Sequence, residues 1–459
     1  MPVVNDIHSQ LNETTVREVV TVESLDALVD AVRSARSRSL PVAIAGGRHA
    51  MGGQQFCTDG VLLDTSRLGR ILGFDAGAGI VEVEAGIQWP ALLDYLRPTA
   101  WGYRQKQTGA DRLSLGGALS ANGHGRGLTM KPIVSDVESL MLIGPDGELR
   151  NCSRDENADL FALVAGGYGL FGAVYSLRLR LMARRKLERV VEVRDLDGLM
   201  QAFDERIADG FLYGDFQFAI DPAGESFLRR GVFSCYRPVA DDDPIPEGQR
   251  ALTIDDWRAL LFLTHTNKAE AFERYAAHYL ATSGQLYWSD AHQSAEYIDD
   301  YHRALDEALG GGRATEMISE LYVPRDRLAD FMDAVAEDFR QTRVDVIYGT
   351  VRLIERDDES FLAWAREPWA CVIFNLHTDH TPEGIERSAG AFRRLIDRAV
   401  ELGGSYFLTY HRWARRDQVE SCYPQFREFL ERKRARDADD VFQSDWYRHY
   451  VRLFEDDAH

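Results

Sequence analysis

Two glycine-rich stretches near the N-terminus constrain this chain more than any other feature. The first is Gly46-Gly47-Arg48-His49-Ala50-Met51-Gly52-Gly53. The second is Ser114-Leu115-Gly116-Gly117-Ala118-Leu119-Ser120-Ala121-Asn122-Gly123-His124-Gly125. Where no Cβ intervenes, backbone amides can approach an anion closely and gather into a concave cradle. Each stretch also carries a histidine. Two such stretches so close in sequence point to one large anionic ligand, gripped twice.

The residues around them alternate between helix and strand periods. Leu25, Leu28, Val29 and Val32 recur at helical spacing behind Ser24, a suitable N-cap, and the helix should end in the Ser/Arg-rich run 33–39. Pro41 to Ala45 reads as a short buried strand entering the first glycine stretch, and Ile80 to Ala85 as another. A helix from Trp89 has Pro90 in its first turn. Val137 to Gly147 reads as a hairpin arm, 155–164 as a helix and Ala173 to Leu181 as an alternating strand. The texture changes near residue 186. Strands at 189–193, 211–219 and 370–377, a strand–helix–strand unit across 315–354, a mainly helical stretch at 253–309 and helices at 195–208 and 383–401 describe helices on an antiparallel sheet. The tail from 405 returns to aromatic-rich strand and helix.

Lys plus Arg number 53 and Asp plus Glu 73, a net charge of -20. Such a chain lacks the positive field that nucleic-acid binding needs, so no nucleic-acid partner is expected. Its five cysteines are scattered and form no C-x-x-C pair, which fits a reducing compartment. No secretory leader or membrane-spanning apolar run is visible, and a cytoplasmic location is expected.

Gly167-Tyr168-Gly169-Leu170-Phe171-Gly172 matches G-x-G-x-x-G, but a helix precedes it and a strand follows. That order is the reverse of the Rossmann fingerprint, which excludes an NAD site of that kind. The glycines either form a simple turn or let backbone approach a flat ring. A P-loop is absent. His377-Thr378-Asp379-His380 reads as a strand end, and no metal site is expected. Lys433-Arg434-Ala435-Arg436 reads as a solvated helix end.

Together these segments resemble the FAD-linked oxidases of the vanillyl-alcohol-oxidase type, the PCMH-type FAD-binding family. Gly46-Gly47-Arg48-His49-Ala50 is similar to that family's first loop, G-G-x-H-S. Ser114-Leu115-Gly116-Gly117 with Asn122-Gly123-His124-Gly125 is similar to its T-V-G-G and H-G segment. Gly166-Gly167-Tyr168-Gly169-Leu170-Phe171-Gly172 with Val174 is similar to its G-G-x-G-x-x-G-[IV] segment. Ser319-Glu320-Leu321-Tyr322-Val323-Pro324 resembles a strand of sugar-lactone and alditol oxidases. Residues 423–445 resemble the C-terminal segment of decaprenylphosphoryl-ribose oxidases.

The resemblance implies an α+β fold. A PCMH-type FAD-binding domain of two α/β subdomains would occupy 1–185, and an inserted α+β substrate domain on an antiparallel sheet 186–404. The segment 405–459 would return to the FAD domain. Cofactor contacts fall on Gly46, Gly47, Arg48, His49, Ala50, Met51 and Gly52 of the first loop. They continue on Ser114, Gly116, Gly117, Ser120, Asn122, His124 and Gly125, then on Gly169, Gly172 and Val174. His49 holds the position that in many members bonds the flavin 8α-methyl, which implies covalent FAD. Arg48 before it matches members with non-covalent flavin. Ala110 stands where doubly linked members carry cysteine, so one link is the most expected.

The implied activity is hydride removal from an alcohol carbon of a sugar, polyol or other small hydroxylated molecule, with oxygen or another acceptor reoxidising the flavin. Candidate groups for the proton and for orientation are Glu320, His377, Tyr410, His411 and Arg352. Packing of His411 beside Trp413 is the competing reading for that residue. Tyr410 stands where the ribose oxidases have a lysine. Two alternatives remain open: a non-covalent FAD enzyme acting on a lipid-linked sugar or a C=C bond, and a non-catalytic ligand-binding protein of the same fold.

Overall fold

The computed structural model describes residues 1–295, 298 and 301–455. After a short antiparallel pair, Val3–Val4 with Thr14–Thr15, the N-terminal part forms a parallel three-stranded sheet in the order Glu18–Thr21, Val61–Asp64, Val42–Ala45. The helix Leu25–Ser37 crosses over it. Ser24 caps the helix through its side chain and the amide of Ala27. Leu28, Val32 and Ala35 turn inward on one stripe against Val42, Val61 and Leu63. Burial of each large aliphatic side chain there contributes roughly 1.5–3 kcal/mol.

A second, antiparallel sheet follows in the order Leu149–Ser153, Val137–Ile143, Ala173–Ala183, Ile80–Glu84, Ile71–Asp75. Trp101–Tyr103 also pairs with Ala173–Ala183. The expected hairpin forms, with Leu149 opposite Ile143. The third sheet has eight strands, all antiparallel. Their order is Leu286–Trp288, Lys186–Asp195, Arg230–Pro238, Tyr213–Phe218, Val346–Ile354, Trp369–Asp379, Ala314–Pro324, Ser405–Tyr406.

Three features differ from the sequence reading. The second glycine stretch is not an open loop: residues Leu115–Ala121 form a helix capped by the Ser114 side chain. Arg230–Pro238 and Leu286–Trp288 are strands that the sequence reading leaves out. The tail has one two-residue strand, Ser405–Tyr406, and then the helices Arg416–Cys422, Phe426–Arg436 and Asp445–Glu455.

The tail packs back on the N-terminal part. The Val42 amide donates to the Val441 carbonyl at 2.7 Å and the Gln443 amide to the Val42 carbonyl at 2.9 Å, extending the parallel sheet by one bridge. Lys433 is not a solvated helix end: its side chain is fully buried, with Nζ 2.8 Å from Asp437 and 3.2 Å from Asp440. Asp437 in turn accepts the amides of Val441 and Phe442, which fixes the turn that docks on Val42.

Candidate functional site

The strand Val42–Ala45 feeds straight into the first glycine stretch. None of the six amides from Gly46 to Met51 donates a hydrogen bond within the described residues. Arg48 adopts a left-handed conformation with φ 57°. A run of undirected amides around a left-handed residue is the geometry that gathers N–H groups onto an anion. Glycine at 46 is required by contact: a Cβ there would lie 2.1 Å from Ser114 Oγ. The two glycine stretches therefore meet.

His49 is buried. Its Nδ1 lies 2.7 Å from His8 Nε2, while its Nε2 has no partner among the described residues. Burial, assisted by His8 and opposed by the Arg112 backbone, pulls its pKa down to about 3, so the ring stays neutral. Ala50 and Met51 hold the loop through their carbonyls, which accept from Gln55 and Asn12 at 2.7 Å each. Gly52 lies against the Tyr410 carbonyl.

The second stretch works differently from the first. The amides of Leu115, Gly116 and Gly117 are already engaged, by Ile87, Ala85 and the Ser114 hydroxyl. Gly116 and Gly117 therefore provide close packing, against Ala85 and Ser114, and not a row of open amides. The third stretch is laced to this helix. Gly166 donates to the Leu119 carbonyl and Tyr168 to the Ser120 carbonyl, both at 3.0 Å. Gly169 and Gly172 have φ of 76° and 146°, and Val174, second in the following strand, lies opposite Leu142. Asn122 caps the helix in a left-handed conformation, its amide held 2.8 Å from Asp357. Gly123 and Gly125 pass close to Gln107 and the Lys106 carbonyl, where a Cβ would come within 2.3 and 2.7 Å.

His124 ends this run, and its ring nitrogen Nε2 lies 2.6 Å from Glu320 Oε1. Its Nδ1 is 2.9 Å from the Gly125 carbonyl, which can only accept. Both ring nitrogens thus face acceptors when Glu320 is ionised. The same carboxylate oxygen takes the Tyr322 hydroxyl at 2.5 Å and the Cys371 thiol at 3.4 Å. Oε2 takes the Tyr410 hydroxyl at 3.0 Å. The register explains the convergence. Tyr322 pairs with Cys371 and Cys371 with Arg352, so these three and Glu320 share one sheet face.

Burial would raise the Glu320 carboxyl. The His124 charge and the hydrogen bonds from His124 and Tyr322 reverse this and hold it below the ordinary carboxylate range. Burial pushes Tyr322, Tyr410 and Cys371 upward, so all three remain protonated donors.

Glu320, His124 and Tyr410 open onto a cavity of ≈ 1390 Å³ that also reaches Met51, Gln107, Thr108 and Gly123 of the glycine region. Its walls carry Arg126, Arg189 and Arg352 with Tyr275, Tyr279 and Tyr348. Of the five catalytic candidates, the structure brings Glu320, Tyr410 and Arg352 to one place. His411 lies apart, stacked on Trp413 with ring centroids 4.2 Å apart, and lines a separate small pocket. His377 lies opposite Glu316, not Glu320. The sequence assigns His124 a structural or cofactor-contact role and carries no local signal for its contact with Glu320, nor for Cys371, His8 and the buried Lys106 at the site. Lys106 bonds Asp111 at 2.5 Å and the Gln107 carbonyl at 2.8 Å. Only long-range pairing data could have joined His124 to a residue 196 positions away.

Comparison with known proteins agrees with this geometry. Residues 16–153 match the family described as an FAD binding domain. Over 444 residues the chain is 24% identical to an L-gulono-1,4-lactone dehydrogenase of Mycobacterium tuberculosis, covering 94% of this chain and 95% of that protein. It is 30% identical over 185 residues to an oxidoreductase from the fasciation locus of Rhodococcoides fascians, 37% of this chain and 39% of that one. It is 33% identical over 165 residues to cytokinin dehydrogenase 2 of Oryza sativa, 33% of this chain and 28% of that one. The residues present suit FAD. The open amides 46–51 suit its diphosphate, and His49 Nε2, both ends of the Gln107 amide and Thr108 Oγ1 are buried polar atoms without partners in the described structure. The chain carries a PCMH-type FAD-binding domain over residues 16–153 and is an FAD-binding oxidoreductase, similar over nearly its whole length to a sugar-lactone dehydrogenase.

Proposed function

We propose that the protein oxidises a CH–OH carbon of a sugar, sugar lactone or polyol, with FAD carried by His49. Residues 1–185 and 405–459 hold the flavin in this reading, and 186–404 form the substrate roof. Bound FAD supplies the two-electron acceptor that takes the hydride. The chain supplies the place for the proton. The observation that carries the reading is the Glu320 carboxylate, which lines the cavity: Oε1 is saturated by three donors, while Oε2 has Tyr410 alone among the described residues.

An ionised Glu320 accepts the substrate hydroxyl proton at Oε2 as the carbon loses its hydride. His124 and Tyr322 keep the carboxylate in place through Oε1. Arg352, buried on the cavity wall with Nε unpartnered among the described residues, orients a substrate oxygen. For the covalent link, Nε2 is the ring nitrogen of His49 that His8 leaves untaken.

The test is an absorbance spectrum before and after acid precipitation, then anaerobic titration with L-gulono-1,4-lactone, related lactones, aldoses and polyols. The reading expects a yellow pellet and bleaching by at least one CH–OH substrate. A colourless pellet removes the covalent link. A flavin that no CH–OH compound bleaches removes the activity.

A further inference from the structure

A second polar cluster lies on the same strand as Glu320 and plays no part in the chemistry above. Its centre is Glu316, buried at 7% exposure. The carboxylate is used on one side only. Oε2 receives the Tyr301 hydroxyl and lies 2.9 Å from His302 Nε2. Oε1 faces two further imidazoles, His265 Nε2 at 3.4 Å and His377 Nδ1 at 3.9 Å. Oε1, His265 Nε2 and His377 Nδ1 are all buried, and none has a hydrogen-bond partner among the described residues. The His265 side chain is only 3% exposed.

Three ligand atoms turned toward one another, with contacts too long or too poorly aligned for good hydrogen bonds, leave a place for a cation. They lie within 4.8 Å of each other. Around a tetrahedral Zn²⁺ with bonds of about 2.0–2.1 Å, neighbouring ligand atoms sit about 3.3–3.4 Å apart. The Glu316–imidazole separations of 3.4 and 3.9 Å therefore need a contraction of at most about half an ångström to reach that geometry. The fold fixes the set from three directions. Glu316 and His377 are direct cross-strand partners, and His265 closes the helix Ile254–Thr266 above them. His380 is not part of the set, since its ring meets Thr315 Oγ1 at 2.9 Å.

We propose that His265, Glu316 and His377 form a binding site for a divalent first-row transition ion. Two imidazoles and one carboxylate favour Zn²⁺ or a similar ion over Mg²⁺ or Ca²⁺, which prefer all-oxygen sites. His302 and Tyr301 hold the carboxylate through its other oxygen, as partners of metal ligands commonly do. Glu316 and His302 line the large cavity, so a fourth ligand comes from there, as water or an oxygen of a bound molecule.

The test uses full-length, flavin-loaded protein, stripped with chelator and titrated with Zn²⁺ by calorimetry, with metal counted after gel filtration. One Zn²⁺ per chain is expected, together with a rise in Tm. His265→Ala and His377→Ala should each weaken binding by at least about 100-fold and abolish the Tm rise. His380→Ala should bind Zn²⁺ like the parent. Because Zn²⁺ outranks Mn²⁺ and Fe²⁺ at such sites, absence of stoichiometric Zn²⁺ binding overturns the proposal. So does unchanged binding in His377→Ala, a position with a 20% exposed side chain and little role in the core. These readouts do not involve substrate oxidation, so they stand or fall apart from the flavin chemistry.

Discussion

Glu320→Gln separates proton transfer from every other role of this site. The amide is isosteric, but its two ends are not equivalent. Three donors, from His124, Tyr322 and Cys371, point at Oε1. The glutamine NH₂ cannot face them, so the carbonyl oxygen takes that position and the NH₂ replaces Oε2. The cavity side then presents a donor where a substrate hydroxyl needs an acceptor. Loss of a positioned general base lowers rates about 10²–10⁴-fold. That is about 2.7–5.5 kcal/mol of barrier at ~1.36 kcal/mol per decade. The ground-state effect is smaller. Bonds to a charged acceptor become bonds to a neutral one, worth roughly 1 kcal/mol and a Tm change of a few degrees.

The assay is anaerobic stopped-flow reduction of the bound flavin by a bleaching substrate. The variant should keep its flavin, bind substrate within a few-fold of the parent, and lose two to four decades in the limiting reduction rate. The parent rate should itself fall at low pH, because the carboxyl is held below its ordinary range and the base disappears only when pH drops through that depressed value. A Glu320→Gln enzyme that reduces its flavin within threefold of the parent would refute the assignment. Proton removal would then belong to another group.

Other expectations follow from the same structure. His49→Ala should release all flavin into the supernatant on acid precipitation while the native variant stays yellow. Gly46→Ala places a Cβ 2.1 Å from Ser114 Oγ, so it should cost about 1–3 kcal/mol in a denaturant melt and lower flavin occupancy. His411 and His449 are held neutral, at pKa about 4, by burial. Unfolded histidine takes up a proton below about 6.5, so each group removes stability as pH falls from there toward 4, and His411→Phe should flatten that slope in Tm measured against pH. Lys433→Ala strands the buried Asp437 and should cost about 3–5 kcal/mol by chemical denaturation, with loss of the tail from the parallel sheet.

Periodic segments were legible in the sequence because one face of each is buried. Leu28 and Val32 of the first helix turn inward, and Leu177, Leu179 and Leu181 alternate along their strand. Arg230–Pro238 escaped because residues 231–236 are all buried, which erases the alternation. Leu286–Trp288 is too short to show a period. The glycine stretches announced a meeting of loops, and Ser114 against Gly46 is that meeting. Composition could not show that Ala85 and Ile87, just past the strand Ile80–Glu84, consume the amides of the second stretch, leaving the open amides to the first. The Glu316 cluster was hidden for a similar reason. His377 has a neighbouring histidine in sequence, yet its partners in space come from 265 and 316.

Both polar centres depend on one strand, Ala314–Pro324. Residues 316 and 320 point the same way because strand side chains alternate with period two, and they are about 13 Å apart at ~3.3 Å per residue. A slip of one residue would turn both carboxylates into the opposite layer. Eleven successive pairs with Trp369–Asp379 fix the register, from Ala314 opposite Asp379 to Pro324 opposite Trp369. The same pairs bring His377 to Glu316 and place Cys371 beside Tyr322. Under the proposed oxidation at Glu320 and the proposed ion at Glu316, affinity should change most when a substrate's second polar group lies about 13 Å from the oxidised carbon along this strand.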